Sequence, residues 1–161
     1  MVVIVMGVTG AGKTTVGTML ARMLGWEFHD ADQLHPRANV EKMSRGIALT
    51  DQDRAPWLAA VRALIEECLA GGRDAVVACS ALKESYRELI VADPARVKIV
   101  YLKIDPATVA KRLQERTGHF MNPALMQSQF DTLEEPRDAI IVDATEPPPK
   151  VVASIRAALS R

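Results

Sequence analysis

A chain of 161 residues that is 48% hydrophobic and 25% charged has enough apolar material for one core and no charge excess to keep it unfolded. Lys+Arg and Asp+Glu number 20 each, so the formal net charge is zero, and aromatic residues make up 4%. That balance argues against nucleic acid or a membrane surface as partner, and the scarce aromatics argue against base-stacking platforms.

The apolar run Val2–Met6 predicts a buried first strand. It is too short to be read as a signal peptide or a membrane span. Gly7-Val8-Thr9-Gly10-Ala11-Gly12-Lys13-Thr14 follows, reading GxxxxGK and then a hydroxyl residue. Val16, Met19, Leu20, Met23 and Leu24 then recur at helical spacing up to Gly25. A Gly-rich loop between a strand and a helix start is the setting of a phosphate-binding loop. Its glycines let successive N–H groups turn inward, and the helix start adds partial positive charge. A nucleotide's phosphates are the expected ligand, held by residues 7–13 with Thr14 and Thr15. Lys13 would reach the outer phosphates, and the Thr14 hydroxyl would take Mg²⁺.

A second strand, Trp26–Asp30, ends in Asp30-Ala31-Asp32. Carboxylates at the C-terminal end of a strand, beside a phosphate loop, lie where open α/β sheets place chemistry, although Asp also serves as a cap. His35, three residues on, is a candidate binding residue. Pro36 opens a helix that Gly46 closes. Thr50 or Asp53 would cap the next helix, whose apolar face runs from Trp57 to Leu69. Arg54 at that helix's start is unfavourable for the dipole, so it pairs with Asp51 or Asp53, or faces an anionic ligand.

Asp74–Ser80 is a near-continuous apolar run, as expected of a strand covered on both faces. Ser80 at its end and Lys83 beyond are pocket candidates, whereas Arg87 reads as a solvent-facing partner of Glu84 or Glu88. The next strand, Val97–Leu102, leads to an Asp105-Pro106 helix start. Arg112 and Arg116 share one face of that helix, a like-charged pair that an anion between them would relieve. Thr117–Pro123 has the look of a lid, bounded by Gly and Pro. A helix through Leu125, Met126 and Phe130, a strand Ala139–Asp143 and a helix through Val151, Val152, Ile155 and Leu159 complete the chain. Pro147-Pro148-Pro149 borders an adenine pocket or sets a stiff turn. Cys68 and Cys79 fit no zinc spacing and read as buried thiols of a reducing compartment.

Alternating strands and helices imply a parallel sheet with helices on both faces, within one α/β domain, residues 1–161. Five strands are expected; periodicity does not give their order.

The blocks GVTGAGKT, DADQLHP, NVEKMSRG, DQDRAPWL, CSALKESYR and RTGHFMNPALMQSQFDTLEEP together resemble the small gluconokinases, over almost the whole chain and in that family's order. The resemblance implies a P-loop NTPase fold with strand order 2-3-1-4-5 and a lid over about residues 114–130. It implies transfer of the γ-phosphoryl of ATP to the 6-hydroxyl of D-gluconate, in a cytoplasmic and often dimeric enzyme. By similarity to shikimate kinase-like sites, Asp32 takes the acceptor proton and Asp30 holds a water on Mg²⁺. Lys13, Arg112 and Arg116 would neutralise the transferred group, and Arg54 would pair with the substrate carboxylate. His35, Ser80, Lys83, His119 and Gln129 are the residues expected to bind hydroxyls. The rivals are a shikimate or adenylylsulfate kinase of the same fold, and a nucleotide switch, against which the absence of NKxD and DxxG speaks.

Overall fold

The computed structural model describes residues 1–115 and 123–161. Strand β1 (Val2–Met6) is buried at every position and forms the centre of the sheet. Helix α1 (Lys13–Leu24) follows and stops at Gly25, whose φ of 72° lets its N–H turn back to the carbonyls of Ala21 and Arg22. Strand β2 (Glu27–Asp30) comes next, then a 3₁₀ turn (Ala31–Leu34) and α2 (Arg37–Ser44). The remaining elements are α3 (Asp51–Ala70), β3 (Ala75–Ala78), α4 (Glu84–Ile90), β4 (Val97–Lys103), α5 (Pro106–Glu115), α6 (Pro123–Thr132), β5 (Ile140–Asp143) and α7 (Pro148–Leu159).

The five strands pair in parallel in the order β2-β3-β1-β4-β5, the order implied by the family resemblance. Period-two alternation along β1 divides the core into two layers. Val3 and Val5 join α1, α5 and α7 through Leu20, Val109, Val152 and Ile155. Val2, Ile4 and Met6 join α3 and α4 through Trp57, Val61, Ile65, Tyr86 and Ile90. Helix α1 lies so close to the sheet that a Cβ at Gly17 would come within 2.7 Å of Phe28.

Helix α3 begins earlier than its apolar face indicated. Thr50 caps it, with its hydroxyl accepting from Asp53 N–H at 3.1 Å. The Asp53 carboxylate in turn accepts from Thr50 N–H at 2.9 Å, so both candidate caps act in one capping box. Pro56 lies inside the helix, near enough to its start that the missing N–H disturbs only its second turn. Both cysteines are buried, free thiols, as expected. Among the described residues, no helix is long and apolar enough to cross a membrane.

Candidate active site

Because all five strands run in parallel, the segments after β1, β2 and β3 emerge at one edge of the sheet. The phosphate loop after β1 has Gly10 at φ 79° and Gly12 at φ 95°, a backbone shape that L-residues with a Cβ resist. A Cβ at Gly10 would also meet Val109 of α5 at 3.0 Å. Gly12 caps α1 without any side-chain hydrogen bond, which leaves the first-turn N–H groups open. Gly10 and Gly12 N–H have no hydrogen-bond partner among the described residues. These donors at a helix start fit phosphate oxygens.

Two loop amides do not fit the expectation of phosphate contact. Ala11 N–H is taken by Val8 O at 3.2 Å, and Thr9 N–H by the side-chain oxygen of Gln129 at 2.6 Å. Gln129, expected at an acceptor hydroxyl, therefore ties α6 to the phosphate loop. Lys13 Nζ also donates to Val8 O, at 3.0 Å. Burial pulls the Lys13 ammonium below the usual lysine value, while Asp32, Cys79 and Asp30 oppose that pull.

The end of β2 and the turn after it carry Asp30 and Asp32 to the same sheet edge as the phosphate loop. Asp30 Oδ1 accepts from Asp32 N–H at 3.0 Å and caps the 3₁₀ turn, which is the capping role weighed for an Asp at this point. Asp32 itself is exposed. Thr14 and Thr15 are also exposed. The Thr14 hydroxyl and the Asp30 carboxylate are the hard oxygen donors that Mg²⁺ takes. Burial pushes the Cys79 thiol, at the end of β3, up to about 12, with Asp32 adding to the shift.

The cation at the start of α3 is held by an aromatic ring. Arg54 donates to the Tyr86 hydroxyl at 3.0 Å and its guanidinium carbon lies 5.5 Å from the ring centre. Tyr86 donates to Asp51, which also accepts from Lys83 at 2.9 Å. The Lys83 ammonium lies 5.6 Å from the same ring centre. Arg54 thus forms neither of the direct aspartate pairs weighed from sequence. Tyr86 and Asp51, residues 35 apart, organise two cations that sequence reasoning had treated separately.

Ser80 is half-buried just past β3, in line with its expected place. Arg87 departs from expectation. It is buried, with 4% of its side chain exposed, and donates to Ala81 O at 2.8 Å, Glu134 O at 2.8 Å and Glu84 at 3.0 Å. Only the Glu84 contact was legible; the Ala81 carbonyl lies in the turn before α4 and the Glu134 carbonyl in a segment after α6. Arg112 donates to Gly10 O at 3.2 Å and Ala144 O at 2.5 Å, so it borders the phosphate loop with its guanidinium engaged by backbone. Arg116, His119 and the middle of the expected lid lie outside the described residues.

Two residues near Asp32 were missed as site residues. Trp57 is buried and donates to Ala31 O at 2.7 Å; it had been read only as core. Asn39 is 3% exposed and contacts both His35 and α3. An Asn four residues after a candidate His, on a helix face, was the available signal. Elsewhere, Glu27, His29 and Cys68 bring three potential metal ligands together, but Arg73 already sits against Glu27 at 3.4 Å and Cys68 at 3.8 Å.

The sequence model of the shikimate kinase family matches residues 9–159. The gluconokinase of Gluconobacter oxydans (strain 621H) is 53% identical over 135 residues, covering 84% of this chain and 76% of its own. A gluconokinase structure from Sinorhizobium meliloti 1021 superposes with a TM-score of 0.88 at 44% identity, covering 99% of this chain and 91% of its own. An unliganded sugar kinase from Janibacter sp. HTCC2649 gives 0.92 at 38% identity, covering 99% and 94%. With a phosphate loop, a carboxylate pair beside it and relatives this similar over most of their length, the chain belongs to the gluconokinase family, within the wider shikimate kinase group.

Proposed function

We propose that this protein transfers the γ-phosphoryl group of ATP to the 6-hydroxyl of D-gluconate, giving 6-phosphogluconate. The observation that carries the reading is the phosphate loop at the start of α1, with the exposed carboxylate of Asp32 carried to the same sheet edge by the turn after β2, near enough to act on Lys13. Phosphoryl transfer needs this combination, since one group must accept a hydroxyl proton and another must stabilise charge on the moving phosphoryl. Relatives described as gluconokinases support the choice of acceptor.

The free N–H groups of Gly10, Gly12 and the first turn of α1 hold the nucleotide phosphates. Lys13 stabilises the transferred group, with Arg112 and Arg116 assigned to the same task. Mg²⁺, when bound, neutralises phosphate charge, and Thr14 and Asp30 would hold it, Asp30 through a water. Asp32 accepts the proton of the acceptor hydroxyl. Arg54 and Lys83, held by Tyr86 and Asp51, offer paired positive charge for the gluconate carboxylate. His35, Ser80 and His119 are assigned to hydroxyl contacts. The two buried free thiols accord with a reducing, cytoplasmic setting.

The test is ADP release from Mg·ATP with gluconate, glucose, shikimate and adenylylsulfate side by side. Turnover with gluconate and near-background rates with the others is expected. Preferential turnover of shikimate or adenylylsulfate, or no turnover at all, would overturn the reading.

A further inference from the structure

His35 stands out among the residues near Asp32 because its surroundings restrict its proton to one nitrogen. The imidazole is half-buried and stacks on Trp57, with ring centres 4.3 Å apart and planes 13° from parallel. Trp57 is itself anchored by its bond to Ala31 O, so the shelf beneath the imidazole is fixed to the turn that carries Asp32. The main-chain N–H of His35 also donates to the main-chain carbonyl of Asp32 at 3.3 Å.

The buried Asn39 side chain decides the rest. Its Nδ2 lies 2.9 Å from Asp53 O and 3.2 Å from His35 Nδ1. A backbone carbonyl can only accept, so the Asn39 atom facing it must be the NH₂ group. Turning the amide over would set two oxygens against each other in a buried place. The second Asn39 hydrogen therefore points at His35 Nδ1, which must present a lone pair. The imidazole proton is left on Nε2, which has no hydrogen-bond partner among the described residues.

Resting on the kinase reading above, we infer that Asn39 is a positioning residue that fixes His35 as a neutral Nε2–H donor, and that this donor binds an acceptor hydroxyl beside Asp32. Neutrality has a purpose here. An imidazolium next to Asp32 would form an ion pair and hold the carboxylate that has to take a proton. A neutral donor orients the hydroxyl and leaves the carboxylate free. The charged groups around His35 work in opposite directions: Asp32 favours the imidazolium, and Arg54 and burial disfavour it, with burial the largest influence. Asp53, on the far side of Asn39, is already matched by Lys42 at 2.9 Å.

The test begins with ¹⁵N NMR on the intact wild-type protein, which reports the tautomer without any substitution. The neutral Nε2–H form is expected, titrating below the ordinary histidine value of about 6.5. An Nδ1–H tautomer would overturn the inference. Asn39→Asp should move the proton to Nδ1 and raise the His35 midpoint above that value; an unchanged titration in the folded variant would also overturn it. Kinetics supply the second arm. His35→Phe keeps a ring on Trp57 but removes the donor, so KM for gluconate should rise about fivefold, the cost of one ordinary hydrogen bond, with KM for ATP unchanged. His35→Gln, which keeps an N–H near the Nε2 position, should recover much of that loss. Equal KM values for all three proteins would remove the donor role. If wild-type protein phosphorylates no sugar acid, the kinase reading fails while the tautomer result stands by itself.

Discussion

The guanidinium of Arg87 donates to the carbonyl of Ala81 at 2.8 Å, and Ala81, at φ 44°, is the one non-glycine residue with positive φ among the described residues. The turn after β3, which carries Ser80 and leads to Lys83, is thus strained at one residue and pinned at the same residue by a buried cation. Removing Arg87 leaves the Ala81 and Glu134 carbonyls without their donor. Arg87→Met should lower unfolding free energy by about 3 kcal/mol in a urea titration. Ala81→Val should cost more than about 1 kcal/mol, because a β-branched residue resists that backbone region, while Ala81→Gly should not. Equal stabilities of the Val and Gly variants would show that the turn relaxes.

Asp32→Asn keeps the shape of the side chain and removes its ability to take a proton. Turnover should fall by about 10²-fold or more, with ATP affinity retained in a direct binding measurement. Lys13→Ala should cost about 3 kcal/mol of transition-state stabilisation, again read in kcat. Wild-type turnover in either variant would remove that residue from the chemistry.

Arg54 and Tyr86 should behave as one unit toward the acceptor. Arg54→Lys loses the guanidinium fork, and KM for gluconate should rise about tenfold with KM for ATP unchanged. Tyr86→Phe keeps the ring beneath both cations but deletes the hydroxyl linking Arg54 to Asp51. It should move the same constant in the same direction by a smaller factor. A change confined to ATP would show that Arg54 serves the nucleotide instead.

The start of α3 should loosen in acid. The Thr50 N–H and the Lys42 ammonium hold the Asp53 carboxyl down at about 2. An unfolded aspartate titrates at about 3.9, so the depressed folded value means that this contribution to stability is complete above that pH. It is lost as pH falls from about 4 toward about 2. Asp51 is also held low, by the Tyr86 hydroxyl first and then Lys83, and acts in the same sense. Over that interval wild-type protein should lose more stability than Asp53→Ala, with Trp57 emission as the probe. Parallel losses in the two proteins would refute the assignment.

What the sequence made legible was local. The phosphate loop follows from spacing, the strands from apolar runs, and the Thr50–Asp53 cap from residue types three apart. The sheet order came from family resemblance, since periodicity carries no information about which strands are neighbours. Arg87 was misread because its buried partners are carbonyls 6 and 47 residues away, and backbone acceptors have no sequence signature. Gln129 was expected at the acceptor rather than at the Thr9 amide, and Tyr86 was given no role, for the same reason: each acts on a segment distant in sequence. Asn39 was within reach, since its offset from His35 is one helical turn, but its burial depends on how α2 lies against α3.

Arg112 spans from Gly10, in the loop after the central strand, to Ala144, just beyond the edge strand β5. One side chain therefore staples the phosphate loop to the turn that launches the last helix. Lengthening or shortening that turn between residues 144 and 147 should pull on the phosphate loop from across the molecule, while Asp32, in the turn after β2, and Arg54, on α3, have no such tie to β5. The loop that the proposal gives to the nucleotide is thereby tied to β5 by a contact that Asp32 and Arg54, the residues it gives to the acceptor, do not share.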